Sequence, residues 1–257
     1  MKQTLVVGGG TGLGGAVVKN LLDRDRKVVV LGRTKPSDEL PIQGFYGIDA
    51  ASVDWPSQFL AIEKETGTTI DSVVFVAGRG VFGKTGMVPV ERARQVFDLN
   101  FWACASAARA AAEHWAAKGQ PGKFVAILSI AALRAVPLES YYAASKAATA
   151  RFLECLQLEY GHKRIKFICA FPGLLKTGFR HTAEWYGLTP AFADEGADVH
   201  KTAEAVIDLL EGKRRTRVLG WRERTIAVVD RLLPGLYDRV VLRSRAERLM
   251  NEPSVGQ

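Results

Sequence analysis

Short, continuously apolar runs alternate along the chain with longer stretches whose apolar residues recur every three or four positions. The runs predict strands at Thr4–Val7, Lys27–Leu31, Gly44–Ile48, Ser72–Ala77, Lys123–Leu128, Lys166–Ala170 and Arg217–Leu219. The periodic stretches predict helices at Leu13–Leu22, Trp55–Thr66, Val90–Lys118, Tyr141–Tyr160 and Thr202–Leu210. Runs such as Val73-Val74-Phe75-Val76 have no polar alternate positions, as expected of parallel strands covered on both faces. The βαβα alternation therefore predicts an α/β fold, a Rossmann-like, doubly wound parallel sheet of about seven strands flanked by helices. No linker, repeat or low-complexity tract interrupts it, so residues 1–257 read as a single domain. One crossover is short: between Arg33 and Phe45, Pro36 and Pro41 leave room for a turn but not a full helix.

Val6-Val7-Gly8-Gly9-Gly10-Thr11-Gly12-Leu13-Gly14-Gly15 leaves the first strand and opens the first helix. A dinucleotide pyrophosphate suits such a junction. Glycine lets the backbone turn sharply and approach the phosphates, and the helix N-terminus presents free N–H groups. Two registers fit. Gly10, Gly12 and Gly15 match G-x-G-x-x-G, whereas Gly8, Gly12 and Gly14 match G-x-x-x-G-x-G with the first glycine at the strand end. The second is preferred, with Gly10, Thr11 and Leu13 as further candidate contacts; a plain tight turn is the competing reading. The second strand ends Val28-Val29-Val30-Leu31-Gly32-Arg33-Thr34, and no carboxylate appears before Asp38. An acid at this strand end would accept hydrogen bonds from the adenosine ribose. Gly32 stands there instead, and the planar fork of Arg33, with Thr34 beside it, suits a 2′-phosphate. The expected cofactor is NADP (NADPH), with NAD less favoured.

Tyr142 and Lys146, in Ser140-Tyr141-Tyr142-Ala143-Ala144-Ser145-Lys146, stand one helical turn apart and share a face. Tyr141 is about 140° of helical rotation from Lys146 and is the wrong tyrosine for it. A phenol with a pKa of about 10 is a poor acid or base at neutral pH, and an ammonium one turn away favours its phenolate. Taken alone, Tyr-x-x-x-Lys is also what an ordinary solvated helix face contains. Ser129, thirteen residues before Tyr142, closes the fifth predicted strand, where a hydroxyl can reach a carbonyl in the crevice.

Taken in order, these residues resemble the short-chain dehydrogenase/reductase family over roughly Leu5 to Leu210. Gly8, Gly12 and Gly14 match its cofactor loop, and Ser129, Tyr142 and Lys146 match its catalytic residues in type, order and spacing. Asn100, in Phe97-Asp98-Leu99-Asn100, matches the asparagine of its tetrad, and Asp49 is similar to its adenine-contacting acid. Ala77 and Gly78 follow the fourth strand in the family's manner. Phe171-Pro172-Gly173, with Thr177 behind it, resembles the segment that holds the nicotinamide carboxamide. The resemblance implies that Tyr142 exchanges a proton with the substrate oxygen while hydride moves to or from nicotinamide. Lys146 would hold the ribose and tune Tyr142, Ser129 would orient the oxygen, and Asn100 would organise a water in a proton relay. Val7 replaces the family's usual threonine, and Val76-Ala77-Gly78 lacks its asparagines. With the short second crossover, these departures loosen adenine-side contacts but remove no catalytic group.

Leu174, Leu175, Phe179, Trp185, Tyr186, Leu188 and Phe192 follow, where the family places a mobile loop. Residues 174–197 are thus expected to form a substrate-binding lid for apolar or aromatic ketones or carrier-bound acyl chains, loop packing being the alternative. Ketone reduction is the expected direction, and a non-catalytic dinucleotide-binding sensor is the competing function. In the long predicted helices Val90–Lys118 and Tyr141–Tyr160, the alanines 103, 105, 107, 108, 110, 111 and 112 permit close helix approach, and the family that the chain resembles pairs through these two helices. A homodimer or homotetramer is expected.

Net charge is +8, and between Glu211 and Arg248 eleven Lys/Arg face five Asp/Glu. Acidic partners are therefore a question for the basic segment 211–257, where Ile226, Val229, Leu233, Leu236 and Val240 recur at helical spacing. Packing on the main domain or a second subunit is the first reading; contact with a membrane surface or an acidic carrier protein is the second. No recognised nucleic-acid module accompanies the charge, so no nucleic acid is expected. With 47% hydrophobic and 24% charged residues, most of the chain cannot be disordered. No apolar run reaches the ~18 residues of a transmembrane helix, and Met1-Lys2-Gln3 opens no signal peptide. Cys104, Cys155 and Cys169 read as buried free thiols, His114, His162, His181 and His200 lack metal-ligand spacing, and a cytoplasmic location is expected.

Overall fold

A computed structural model describes residues 2–187, 196–213, 217–233 and 235. Its strands are β1 (Gln3–Val7), β2 (Lys27–Leu31), β3 (Gly44–Tyr46), β4 (Ile70–Phe75), β5 (Val81–Gly83), β6 (Gly122–Ile127), β7 (Ile165–Pro172), β8 (Glu184–Tyr186) and β9 (Val218–Leu219). Seven form one parallel sheet in the order β3-β2-β1-β4-β6-β7-β9; β5 and β8 pair separately. The helices are α1 (Gly12–Leu22), α2 (Trp55–Thr66), α3 (Val90–Phe97), α4 (Cys104–Ala117), α5 (Ser140–Tyr160), α6 (Phe179–Thr182), α7 (Val199–Glu211) and α8 (Trp221–Leu232).

Because successive strand residues point to opposite faces, each apolar run feeds two cores. Leu5, Val7, Val29, Val73, Phe75 and Phe124 pack under Trp55 and Phe59 of α2, Trp115 of α4 and Leu153 of α5. Val6, Val28, Val30, Val74 and Val125 face Val17 and Leu21 of α1 and Val206 and Leu210 of α7. The order of strands reverses at β1, which pairs with β2 on one side and β4 on the other. A crevice opens beyond the carboxyl ends of strands at such a point. No helix fills the segment between β2 and β3, as its two prolines dictate.

The stretch predicted as one helix, Val90–Lys118, is interrupted by a π-helical segment, Asp98–Ala103, between α3 and α4. Its wider turn frees the carbonyl of Asn100, which accepts a hydrogen bond from the Thr149 hydroxyl at 2.9 Å. The alanine-rich face of α4 is buried inside the single chain, so it does not await a second copy. Alanine lets α4 lie close to the sheet and to α5. The large apolar side chains left outside on these elements are Trp102 and Leu158. Cys104 and Cys169 are buried, whereas Cys155 is exposed on α5, contrary to expectation, because that helix turns only one side to the core.

Candidate active site

A cavity of about 870 Å³ lies at the carboxyl ends of the strands. One end is walled by Gly8, Gly10, Thr11, Gly12, Leu13 and Gly14 from the β1–α1 junction, Arg33 and Thr34 after β2, Asp49 after β3, and Ala77 and Gly78 after β4. Gly8 has φ +86°, and a Cβ on it would stand 2.7 Å from the Ala77 nitrogen. A Cβ on Gly14 would stand 1.9 Å from the Gly8 carbonyl oxygen, because α1 rests directly on the loop. At Gly15 a Cβ would meet only ordinary contacts of 3.7 Å or more. Close approaches thus fall on Gly8 and Gly14 of the second register and also on Gly10 of the first, where a Cβ would stand 2.1 Å from the Thr34 carbonyl oxygen. The Asp49 carboxylate accepts a hydrogen bond from the Ala51 nitrogen at 3.0 Å, capping a turn of 3₁₀ helix. Lys35 pairs with Asp38, and the exposed Arg33 makes no ion pair among the described residues.

At the other end stand Ser129, Tyr142 and Lys146. Ser129 caps the turn after β6, its hydroxyl accepting from the Ala131 nitrogen at 3.2 Å. Tyr142, in the first turn of α5, is buried with its ring edge-on to Phe82 at 5.5 Å. Lys146, one turn on, is 4% exposed and donates to the Ile127 carbonyl at 3.0 Å. Its Nζ lies 6.0 Å from the centre of the Tyr142 ring. Burial raises the Tyr142 hydroxyl well above the ordinary phenol range, with help from the Glu139 carboxylate; a hydrogen bond with Ser129 and the Arg180 charge oppose the rise. Burial also lowers the Lys146 ammonium to about 8. The simple expectation that Lys146 pulls Tyr142 towards phenolate is therefore corrected for this state. Desolvation disfavours both charged forms, and it dominates. Tyr141 lies elsewhere, against Val81, Val88 and Val96.

Among the candidate residues, Asn100 alone is absent from the cavity wall. Its side-chain oxygen accepts from the Arg79 nitrogen at 2.8 Å, and its amide donates to the Arg79 carbonyl at 2.9 Å and the Ser145 hydroxyl at 3.0 Å. The side chain thus clamps the loop after β4 to the helix of Tyr142. Pro172, Gly173 and Thr177 line the cavity where β7 ends, with Thr177 capping the Phe179 nitrogen at 3.2 Å.

Of the expected lid, Leu174, Leu175 and Phe179 line the cavity, and Trp185 packs on Phe82 at 5.0 Å between ring centres. Tyr186 belongs to the Val81 cluster instead. Leu188 and Phe192 lie outside the described residues. The sequence reading missed Phe82, Arg134, Val136, Glu139, Arg180 and Ile226, all on the wall. Arg180 pairs with Glu139 at 3.4 Å, and Arg134 with Asp230 of α8. Glu139 precedes the tyrosine segment and Arg180 follows Phe179, which was the one local signal available.

A family model for short chain dehydrogenases matches residues 2–185. An uncharacterized oxidoreductase of Bacillus subtilis, YxnA, is 24% identical over 256 residues, covering 92% of this chain and 70% of its own. A short chain dehydrogenase from Burkholderia cenocepacia, solved in complex with NADP, is similar with a TM-score of 0.78 at 25% identity, covering 93% of this chain and 97% of that one. A 3-ketoacyl-(acyl-carrier-protein) reductase from Brucella melitensis, complexed with NADH, shares the fold with a TM-score of 0.72 at 21% identity, covering 84% and 94%. With the family model spanning the glycine loop, the serine turn and the tyrosine helix, the chain belongs to the short-chain dehydrogenase/reductase family of oxidoreductases.

Proposed function

We propose that the protein uses NADP(H) to interconvert a ketone and a secondary alcohol, chiefly by reducing an apolar or aromatic carbonyl compound in the cytoplasm. One observation carries this reading: a single cavity joins a glycine cradle with Arg33 at its rim to the Ser129, Tyr142 and Lys146 side chains. The cradle fits a dinucleotide. Side chains at Gly8 and Gly14 would collide with backbone, so loop and helix are drawn tight, and the start of α1 offers free N–H groups to a pyrophosphate. Gly8 to Gly14 would hold that group, Arg33 and Thr34 a 2′-phosphate, Asp49 the adenosine, and Ala77, Gly78, Pro172, Gly173 and Thr177 the nicotinamide half. The bound dinucleotide supplies the hydride.

The remaining chemistry belongs to the chain. Ser129 orients the carbonyl oxygen. Tyr142 gives its phenolic proton to that oxygen as the alcohol forms; burial makes the phenol a weaker acid, and the Ser129 hydrogen bond and the Arg180 charge oppose that effect. Lys146, with its ammonium near 8, is poised to return a proton to Tyr142, and Asn100 positions the helix that carries both. Phe82, Val136, Leu174 and Phe179 favour an apolar substrate.

The test is a binding titration with NADPH and NADH followed by a ketone and alcohol screen read by nicotinamide absorbance. NADPH is expected to bind more tightly. Arg33→Ala should weaken NADPH by about 10- to 100-fold, the loss of a charge-assisted hydrogen bond, and leave NADH nearly unchanged. Equal affinities in the unmodified protein contradict the NADP assignment. Tight binding without turnover of any carbonyl would favour a sensor instead.

A further inference from the structure

The terminal described helix, α8, has no buried residue. Its two long sides are chemically opposite. On the inner side Ile226 lines the cavity, Asp230 pairs with Arg134, and the Glu223 carboxylate lies over Gly173 and Gly220. On the outer side, at 100° per residue, Trp221, Val228 and Leu232 fall within about 40° of one another. They are 73%, 55% and 71% exposed, an apolar ridge facing away from the protein. Arg224 and Arg231 flank the ridge on one side and Arg222 on the other, all exposed. The Arg222 guanidinium sits 5.4 Å from the centre of the Trp221 ring.

From this arrangement we propose that the outer face of α8 docks the protein on an anionic lipid surface. An apolar ridge with a tryptophan, edged by arginines on both sides, buries its ridge at the acyl boundary while the guanidiniums reach lipid phosphates. Charge decides against a second copy of the chain. The only acids of α8, Glu223 and Asp230, point inward, so arginines of two copies would meet with no carboxylate of the helix to pair them. Three side chains also fall well short of the about 800 Å² per partner that a stable protein interface buries. Because the inner side of the same helix borders the cavity, docking sets the substrate end beside the bilayer. The proposal goes beyond the catalytic reading and stands without it.

Its test is co-sedimentation of the full chain with phosphatidylcholine vesicles, with and without phosphatidylglycerol, at low and high salt. Binding is expected only to the anionic vesicles, falling as salt rises, with a blue shift of tryptophan fluorescence. Arg222→Gln with Arg231→Gln should weaken binding about fivefold per arginine. Trp221→Ser with Leu232→Ser should abolish the blue shift while NADPH affinity and thermal midpoint stay unchanged, since both side chains face outward. The comparison of lipids and salts on the unmodified protein needs no variant. No vesicle binding, or equal binding to neutral and anionic vesicles, would overturn the proposal. So would a solution mass that drops to a single chain in the Trp221→Ser, Leu232→Ser variant, which assigns the ridge to a second copy.

Discussion

Tyr141 and Tyr142 are neighbours in sequence, yet one packs among valines and the other meets Ser129 and Phe82 in the cavity. Tyr142→Phe should lower turnover by about 10²–10⁴-fold with cofactor affinity retained, whereas Tyr141→Phe should do little. Steady-state kinetics on the two variants check this, and the reverse order would move the active-site register by one residue. Lys146 makes a second prediction. Its ammonium titrates near 8 in the folded chain against 10.5 for an ordinary lysine. Between those values the unfolded chain binds more protons, so stability rises with pH. The contribution is complete above the unfolded pKa and is lost as pH falls towards 8. In urea denaturation without cofactor, the difference between wild type and Lys146→Met should climb between pH 8 and 10, by at most ~1.4 kcal/mol per pH unit. A flat difference would mean that Lys146 finds a charge partner in solution.

At the scale of elements, the junction of β1 and α1 separates two adjacent glycines. Gly14→Ala drives a methyl group into the Gly8 carbonyl and should cost about 1–3 kcal/mol while weakening NADPH binding. Gly15→Ala meets only ordinary contacts in a helical position and should stabilise by about 0.5–1 kcal/mol. Denaturant melts of both variants decide it, and equal effects would show that α1 does not rest on the loop. The π-helical segment plays a comparable part for Asn100, whose carbonyl and amide both tie α5 in place. An unbroken helix would have kept that carbonyl within its own ladder.

For the whole molecule, burial of the alanine face relocates the expected subunit contact without removing it. Trp102 and Leu158 stay exposed on the same pair of elements, with Phe101 and Phe152 half-buried and 6.1 Å apart between ring centres. An isologous dimer through this surface is expected, measured as twice the chain mass by light scattering at micromolar concentration. Trp102→Glu with Leu158→Glu should return it to single chains; a wild-type monomer would refute the dimer. This surface and the α8 ridge are separate patches, so dimerisation and lipid docking can be lost independently.

Local periodicity was enough to determine the seven strands of the main sheet, the helices between them and the missing second crossover helix. A strand or helix is decided largely by neighbours within a few residues, and the apolar runs and prolines are such neighbours. The glycine loop and the shared face of Tyr142 and Lys146 were legible locally as well, but the set of Ser129, Tyr142 and Lys146 was legible as a site only through its resemblance to a known family. The π-helical segment was not, because the apolar period runs across it unbroken from Val90 to Lys118. Nor was the β5–β8 pair, whose three-residue strands lie about a hundred residues apart and carry no period of their own. Tertiary structure alone brought Arg134 to the cavity, paired Glu139 with Arg180, and turned Trp221, Val228 and Leu232 outward, where the sequence pattern had marked Ile226 and Val229. It also decided the direction in which Tyr142 and Lys146 titrate, since desolvation depends on what the rest of the chain places around a group, whatever stands one turn away.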